Sequence, residues 1–129
     1  ANGKIGVLVQ VSCETDFVAK NEDFKAMAHE IAMQVAASDP KWIKPEDADE
    51  KELAKEKEIW AEELKQEGKP EEMISKIMEG KSKKYTAEAS LLKQPLVKNP
   101  DLTVEDLLAE MTNKLGEKME IIRFVRFAL

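Results

Sequence analysis

Ile5-Gly6-Val7-Leu8-Val9-Gln10-Val11-Ser12, followed at once by Cys13-Glu14-Thr15-Asp16-Phe17-Val18-Ala19-Lys20-Asn21, is the stretch on which the reading of the fold turns. Its first half has period two. Ile5, Val7, Val9 and Val11, all β-branched, alternate with Gly6, Leu8, Gln10 and Ser12. That pattern predicts a strand with one strongly apolar face. Gly6 within it predicts a bulge or a close backbone approach. From Phe24 the period changes: Phe24, Met27, Ala28, Ile31 and Val35 recur at spacings of three and four, the stripe of a helix packed on a core. Between strand and helix, an acidic residue and a large aromatic stand side by side. Turns between rigid elements lie on the surface and commonly carry function. Phe17 is therefore either tucked under the next helix or offered to a partner.

Working outward, Asn21 reads as the helix N-cap, with Glu22 and Asp23 in the first turn favouring the dipole. The helix should fade by Ser38, since Pro40 disfavours helical geometry at Asp39. Trp42 and Ile43 are expected to pin the next connection to the core. From Pro45 to about Glu67 the sequence is mostly Glu, Lys and Ala, with Leu53, Trp60 and Leu64 on one narrow face. This predicts a long peripheral helix, stopped by Gly68. Pro70 suits the first position of another helix, buried through Met73, Ile74, Ile77 and Met78. Gly80 weakens that helix, but Lys81 to Ala89 can continue it. Leu91, Leu92, Leu96 and Val97, interrupted by Pro95, predict an apolar loop packed on the body. Thr103 with Asp106 resembles a capping box. Val104, Leu107, Leu108 and Met111 then form a helix face that Gly116 ends. Met119 to Leu129 is β-rich with apolar residues on both faces, which suits an interior strand or one that meets a partner.

The fold class is therefore α+β: a small antiparallel sheet from strands near both chain ends, packed against about four helices. A sheet of two strands is marginal. Asn2-Gly3 is a hairpin-turn signal that needs a strand on each side, so a strand is expected upstream, and the chain reads as one domain, residues 1–129, cut from a longer protein. At 129 residues it can bury roughly 65–70% of its unfolded surface. Hydrophobic residues at 43% exclude a disordered chain.

The net charge of −6 argues against a nucleic-acid surface, which needs a basic face. The basic run Lys81-Ser82-Lys83-Lys84 is read as closing a helix. A single Cys excludes an internal disulfide and fits a reducing compartment. No apolar run approaches the ~20 residues of a membrane span. Cys13 and His29 are the only Cys and His, and nothing in their spacing sets them face to face. P-loop, dinucleotide and metal-ligand patterns are absent from the sequence. The chemistry inventory describes a binding protein that is not an enzyme, with no catalytic residue, metal or cofactor.

The residues resemble a known family. Gly6-Val7-Leu8-Val9 running into Cys13 to Asn21 is similar to the signature of elongation factor Ts. So are Ile31-Ala32-Met33-Gln34-Val35-Ala36-Ala37-Ser38, then Gly68-Lys69-Pro70 with Glu79-Gly80-Lys81 and Lys83-Lys84-Tyr85. Leu91-Leu92-Lys93-Gln94-Pro95-Leu96-Val97-Lys98 and Leu115-Gly116-Glu117-Lys118 with Ile122-Arg123-Phe124 and Arg126-Phe127 complete the set. The blocks are collinear and cover nearly the whole chain. The resemblance is to the core, or dimerisation, domain of the short form, without the family's N-terminal helical domain.

The resemblance implies a translation elongation factor, cytoplasmic or in an organellar matrix, that binds elongation factor Tu as its guanine-nucleotide exchange factor. It implies that Asp16 and Phe17, flanked by Thr15 and Val18, insert near the Mg²⁺ and phosphate site and promote GDP release. It implies secondary partner contacts at Ile5, Gly6, Met33 and Gln34. Gln34 stands where the family often carries His, and Leu96 where it often carries Phe. A homodimer is also implied, without direct nucleic-acid or membrane contact. The alternative on the residues alone is a structural or dimerising α+β module in which Phe17 is simply buried.

Overall fold

Strand β1, Ile5–Ser12, pairs antiparallel with strand β2, Glu120–Ala128, in a computed structural model that describes residues 3–129. Of the turn expected at Asn2-Gly3, Asn2 lies outside the described residues. Among those residues the sheet has two strands. The register sets Ile5 opposite Ala128, Leu8 opposite Val125 and Val9 opposite Phe124. It slips between Gln10 and Val11, which face Arg123 and Ile121, so Ile122 is the extra residue of a bulge. The irregularity expected at Gly6 is thus elsewhere. A Cβ placed on Gly6 meets nothing within 4 Å, so no close backbone approach explains that glycine.

One face of the sheet is inward. Val7, Val9, Val11 and Phe124 pack on a core built from helix α2, Glu22–Ser38, and helix α5, Val104–Leu115. Ile31 and Val35 of α2 and Val104 of α5 are fully enclosed. Leu91 and Leu96 close the core from the intervening loop. Arg126, on the inward face opposite Val7, donates from Nη2 to the Ala36 carbonyl at 3.1 Å and approaches Asp39 at 3.7 Å. A cation thus meets the carbonyl end of α2, where the helix dipole favours it.

The caps follow the sequence closely. Asn21 Oδ1 accepts from Asp23 N at 2.8 Å. Thr103 and Asp106 form a reciprocal box, with Thr103 N donating to Asp106 Oδ2 at 2.9 Å and Asp106 N donating to Thr103 Oγ1 at 3.2 Å. Gly116, at φ +73°, ends α5.

The peripheral element is a pair of helices rather than one. Helix α3, Glu50–Gln66, and helix α4, Glu71–Glu88, pack on each other as a hairpin. A Schellman turn joins them: Gly68 N donates to Lys65 O and Lys69 N to Leu64 O. Pro70 is the N-cap of α4, one residue earlier than expected. Helix α4 runs unbroken past Gly80, so Lys81 to Lys84 lie inside it instead of closing it. Lys83 and Lys84 there pair with Glu79 and Glu88 at four-residue spacing. Met73 and Val97, expected to be buried, are exposed, because α4 packs on one narrow line and Val97 stands at the outer edge of its loop.

The base of the hairpin is closed. Lys41 N donates to Ala89 O at 2.8 Å, Leu91 N to Trp42 O at 2.8 Å and Leu92 N to Ile43 O at 2.9 Å. Trp42 is buried and donates from Nε1 to Thr86 O at 2.9 Å. Its ring meets Tyr85 edge-on, and Tyr85 meets Trp60 in the same way. Glu52 accepts from both Lys41 and Tyr85.

The outer face of the sheet is apolar and open: Leu8, Val125 and Phe127 are all exposed.

Two glycines should respond with opposite signs in urea unfolding, since a Cβ at either meets no neighbour. Gly116→Ala forces a left-handed backbone on a residue with a side chain and should lower stability by about 1 kcal/mol. Gly80→Ala, inside α4, should raise it by about 1 kcal/mol. A neutral Gly116→Ala would contradict the cap geometry.

Candidate functional site

The turn leaving β1 is built from short-range bonds. Cys13 is half-buried against the core, and its Sγ–H donates to Thr15 O at 3.3 Å. Thr15 is extended and caps a helix of one turn, α1, Asp16–Ala19, with Oγ1 accepting from Val18 N at 3.4 Å. Ala19 N donates to Thr15 O and Asn21 N to Val18 O, so the chain enters α2 almost at once. Val18 is 8% exposed and belongs to the core, whereas Phe17 beside it is 87% exposed. Asp16 is exposed as well. The turn therefore buries one apolar side chain and shows the other. Burying a Phe ring is worth about 1.5–3 kcal/mol, which this fold leaves unused at Phe17.

The other wall of the turn comes from the far end of the chain. Antiparallel pairing puts the exit of β1 beside the entry of β2. There the Glu117 carboxylate accepts from Glu14 N at 3.0 Å and Thr15 N at 2.9 Å through Oε1, and from the Thr15 hydroxyl at 2.6 Å through Oε2. Lys118 N returns a bond to Glu14 Oε2 at 3.0 Å. The Thr15 hydroxyl, against desolvation and helped by the Thr15 and Glu14 amides, holds Glu117 below its ordinary value of 4.5. In the sequence Glu117 stands only within the block Leu115-Gly116-Glu117-Lys118. The signal that locates it is the pairing itself, which sets the residues just before β2 against those just after β1.

The secondary residues divide. Ile5 is half-buried at the start of β1, Gly6 is exposed on the strand and Met33 is 56% exposed on α2. Gln34 is 3% exposed and faces inward. Its Nε2 donates to Pro95 O and Ser38 Oγ, each at 3.0 Å, and its Oε1 accepts from Val97 N at 3.1 Å. Both ends of the Gln34 amide are thus occupied in joining α2 to the loop at Pro95.

Cys13 and His29 stand on different elements, and His29 is exposed on α2. Among the described residues, no group of three or more His, Cys, Asp or Glu is placed to hold a metal. Among them, too, no helix is long and apolar enough to cross a membrane.

Fold and turn together define an α+β domain that presents an exposed aromatic side chain on a turn pinned at Val18. A family profile described as Elongation factor TS matches residues 1–129. The chain is 49% identical over 127 residues to Elongation factor Ts of Heliobacterium modesticaldum, covering 98% of this chain and 59% of that protein. It is 50% identical to the Carboxydothermus hydrogenoformans protein of the same name, covering 98% and 58%. It is 53% identical to that of Moorella thermoacetica, covering 97% and 62%. The chain thus spans about three fifths of the length of these relatives. It belongs to the elongation factor Ts family of translation elongation factors.

The Glu117 carboxylate sets an acid limit. A group with a lowered folded pKa stabilises fully above its ordinary value, 4.5, and loses that contribution as pH falls through the folded value. Glu117→Gln should therefore unfold at lower urea than the parent at about pH 7, with the gap closing as the pH is taken down through the acid range below the ordinary carboxylate value. A gap unchanged across that range would show that the charge is not its source.

Proposed function

We propose that this chain is the core domain of a guanine-nucleotide exchange factor that binds elongation factor Tu and promotes release of GDP. The observation that carries the reading is Phe17, 87% exposed on a turn whose next residue, Val18, is fixed in the core. The alternative of a merely structural aromatic requires Phe17 to be enclosed by its own chain.

The mechanism is differential binding. Asp16 and Phe17 enter the partner together, beside the Mg²⁺ and phosphate region. Magnesium demands near-ideal octahedral geometry, so a small displacement of its surroundings weakens the nucleotide. Coupling is reciprocal: a factor that binds the nucleotide-free state better must loosen nucleotide by the same ratio. A rigid aromatic anchor suits this task, because a preorganised side chain loses little freedom on docking. Thr15 and Val18 hold the pair from either side. Ile5, Gly6 and Met33 supply a second contact, with Gln34 supporting the neighbouring loop from beneath. The action needs no bond making, catalytic residue or cofactor. It takes place in the cytoplasm or an organellar matrix, without nucleic acid or membrane.

Release of labelled GDP from elongation factor Tu tests the reading. Asp16→Ala with Phe17→Ala should slow release at least tenfold, roughly the loss of a single interface anchor of 1–2 kcal/mol. Release at the parent rate would remove the wedge mechanism.

The same reading includes a homodimer, supported by the open apolar face of Leu8, Val125 and Phe127, at 73%, 42% and 68% exposure. Exposed apolar patches rimmed by polar residues are typical of association surfaces. Sedimentation should find a dimer that Leu8→Lys with Phe127→Glu converts to monomer. A parent chain that sediments as a monomer at high concentration would exclude it.

A further inference from the structure

We propose that Glu117 is a positioning residue for the exchange wedge: it fixes the direction in which Phe17 leaves the body. The inference rests on the exchange reading given above.

Helix α1 has four residues and is too short to hold itself together. Val18 anchors it at one point only. The direction of Asp16 and Phe17 depends on the backbone of Glu14 and Thr15, just after β1 ends. That backbone offers two N–H groups, and both converge on Glu117 Oε1, while the Thr15 hydroxyl takes Oε2. Bonds to an ionised carboxylate are shorter and stronger than neutral ones. The Lys118 amide on Glu14 Oε2 closes the arrangement from the opposite side. Among the described residues Glu117 has no ion-pair partner, and the Lys118 ammonium goes instead to Glu120 at 2.9 Å. The carboxylate is thus committed to the donors of the turn.

A role confined to stapling the fold is the weaker account. β1 and β2 are already paired from Ile5 to Ser12, and the core spans both. The Glu117 bonds lie beyond the end of that ladder, on the two residues that lead into Asp16 and Phe17. Removing them leaves the sheet intact and frees the turn.

The test is a double-mutant cycle between Glu117→Ala and Phe17→Ala, read by release of fluorescent GDP from elongation factor Tu. Docking elsewhere is retained, so Glu117→Ala should lower the maximal release rate about tenfold and move the half-saturating concentration less than about threefold. Glu117→Gln keeps an acceptor for both amides and should recover the rate to within about threefold. In a Phe17→Ala background, Glu117→Ala should slow release no further, since residues acting as one unit are not additive. Independent, multiplying effects would overturn the inference, as would a Glu117→Ala chain at the full rate. A Phe17→Ala chain at the full rate would instead overturn the exchange reading itself. If circular dichroism shows that Glu117→Ala does not fold, Glu14→Ala takes its place in the cycle. It removes the returning bond from an exposed residue and should slow release about threefold, again without adding to Phe17→Ala. An unchanged rate in Glu14→Ala would overturn the inference.

Discussion

The structure depends on the pairing of the chain's two ends. Residues from Ile5 to Ser12 find partners more than a hundred positions later, from Glu120 to Ala128. Closing so long a loop is entropically costly, though the cost grows only slowly with length. The return is that everything between the strands is held against their inward face. Helix α2 is fixed to β1 by Val7, Val9 and Val11 and to β2 by the Arg126 guanidinium on the Ala36 carbonyl. Because the pairing is antiparallel, the exit of one strand and the entry of the other lie at the same end. The turn at Thr15 and the carboxylate of Glu117 are neighbours for that reason alone.

This placement explains how a small domain can show a phenylalanine to solvent without losing order around it. Val18 pins the turn from within, and the charge-assisted bonds at Glu14 and Thr15 pin it from the side. The rigidity is local and directional. A loop of the same exposure without these bonds would spend part of any binding energy on ordering itself.

What the sequence disclosed follows the range of the interactions involved. Asn21, the box of Thr103 and Asp106, and the glycines at 68 and 116 act within four or five residues, and each stands where its pattern placed it. Period-two and period-3.6 patterns gave the first strand and the core stripe of α2, since burial of one face is a local record of tertiary packing, and the second strand came from its β-rich run. Where partners are distant the residue pattern leaves no trace: the Gln34 amide engages Pro95 and Val97, some sixty residues on. Met73 and Val97 are apolar without being buried, because a narrow helix pair and a loop edge have too little neighbouring surface to cover them. The glycine at 6 suggested a bulge, yet the bulge falls at Ile122, where the register must absorb an extra residue on the opposite strand. Within the candidate site, the exposed pair could be located from its turn, while its clamp required the sheet.

The closed base of the helical hairpin carries a different consequence. The chain departs at Trp42 and comes back at Ser90, and the two points bridge each other directly. The excursion between them begins and ends at one place on the body. Adding or removing whole turns from α3 and α4 together would leave that junction, and the core behind it, unaltered. Doubling such an excursion costs only about 0.6 kcal/mol in closure. The length of the hairpin is thus decoupled from the fit of its two ends to the body.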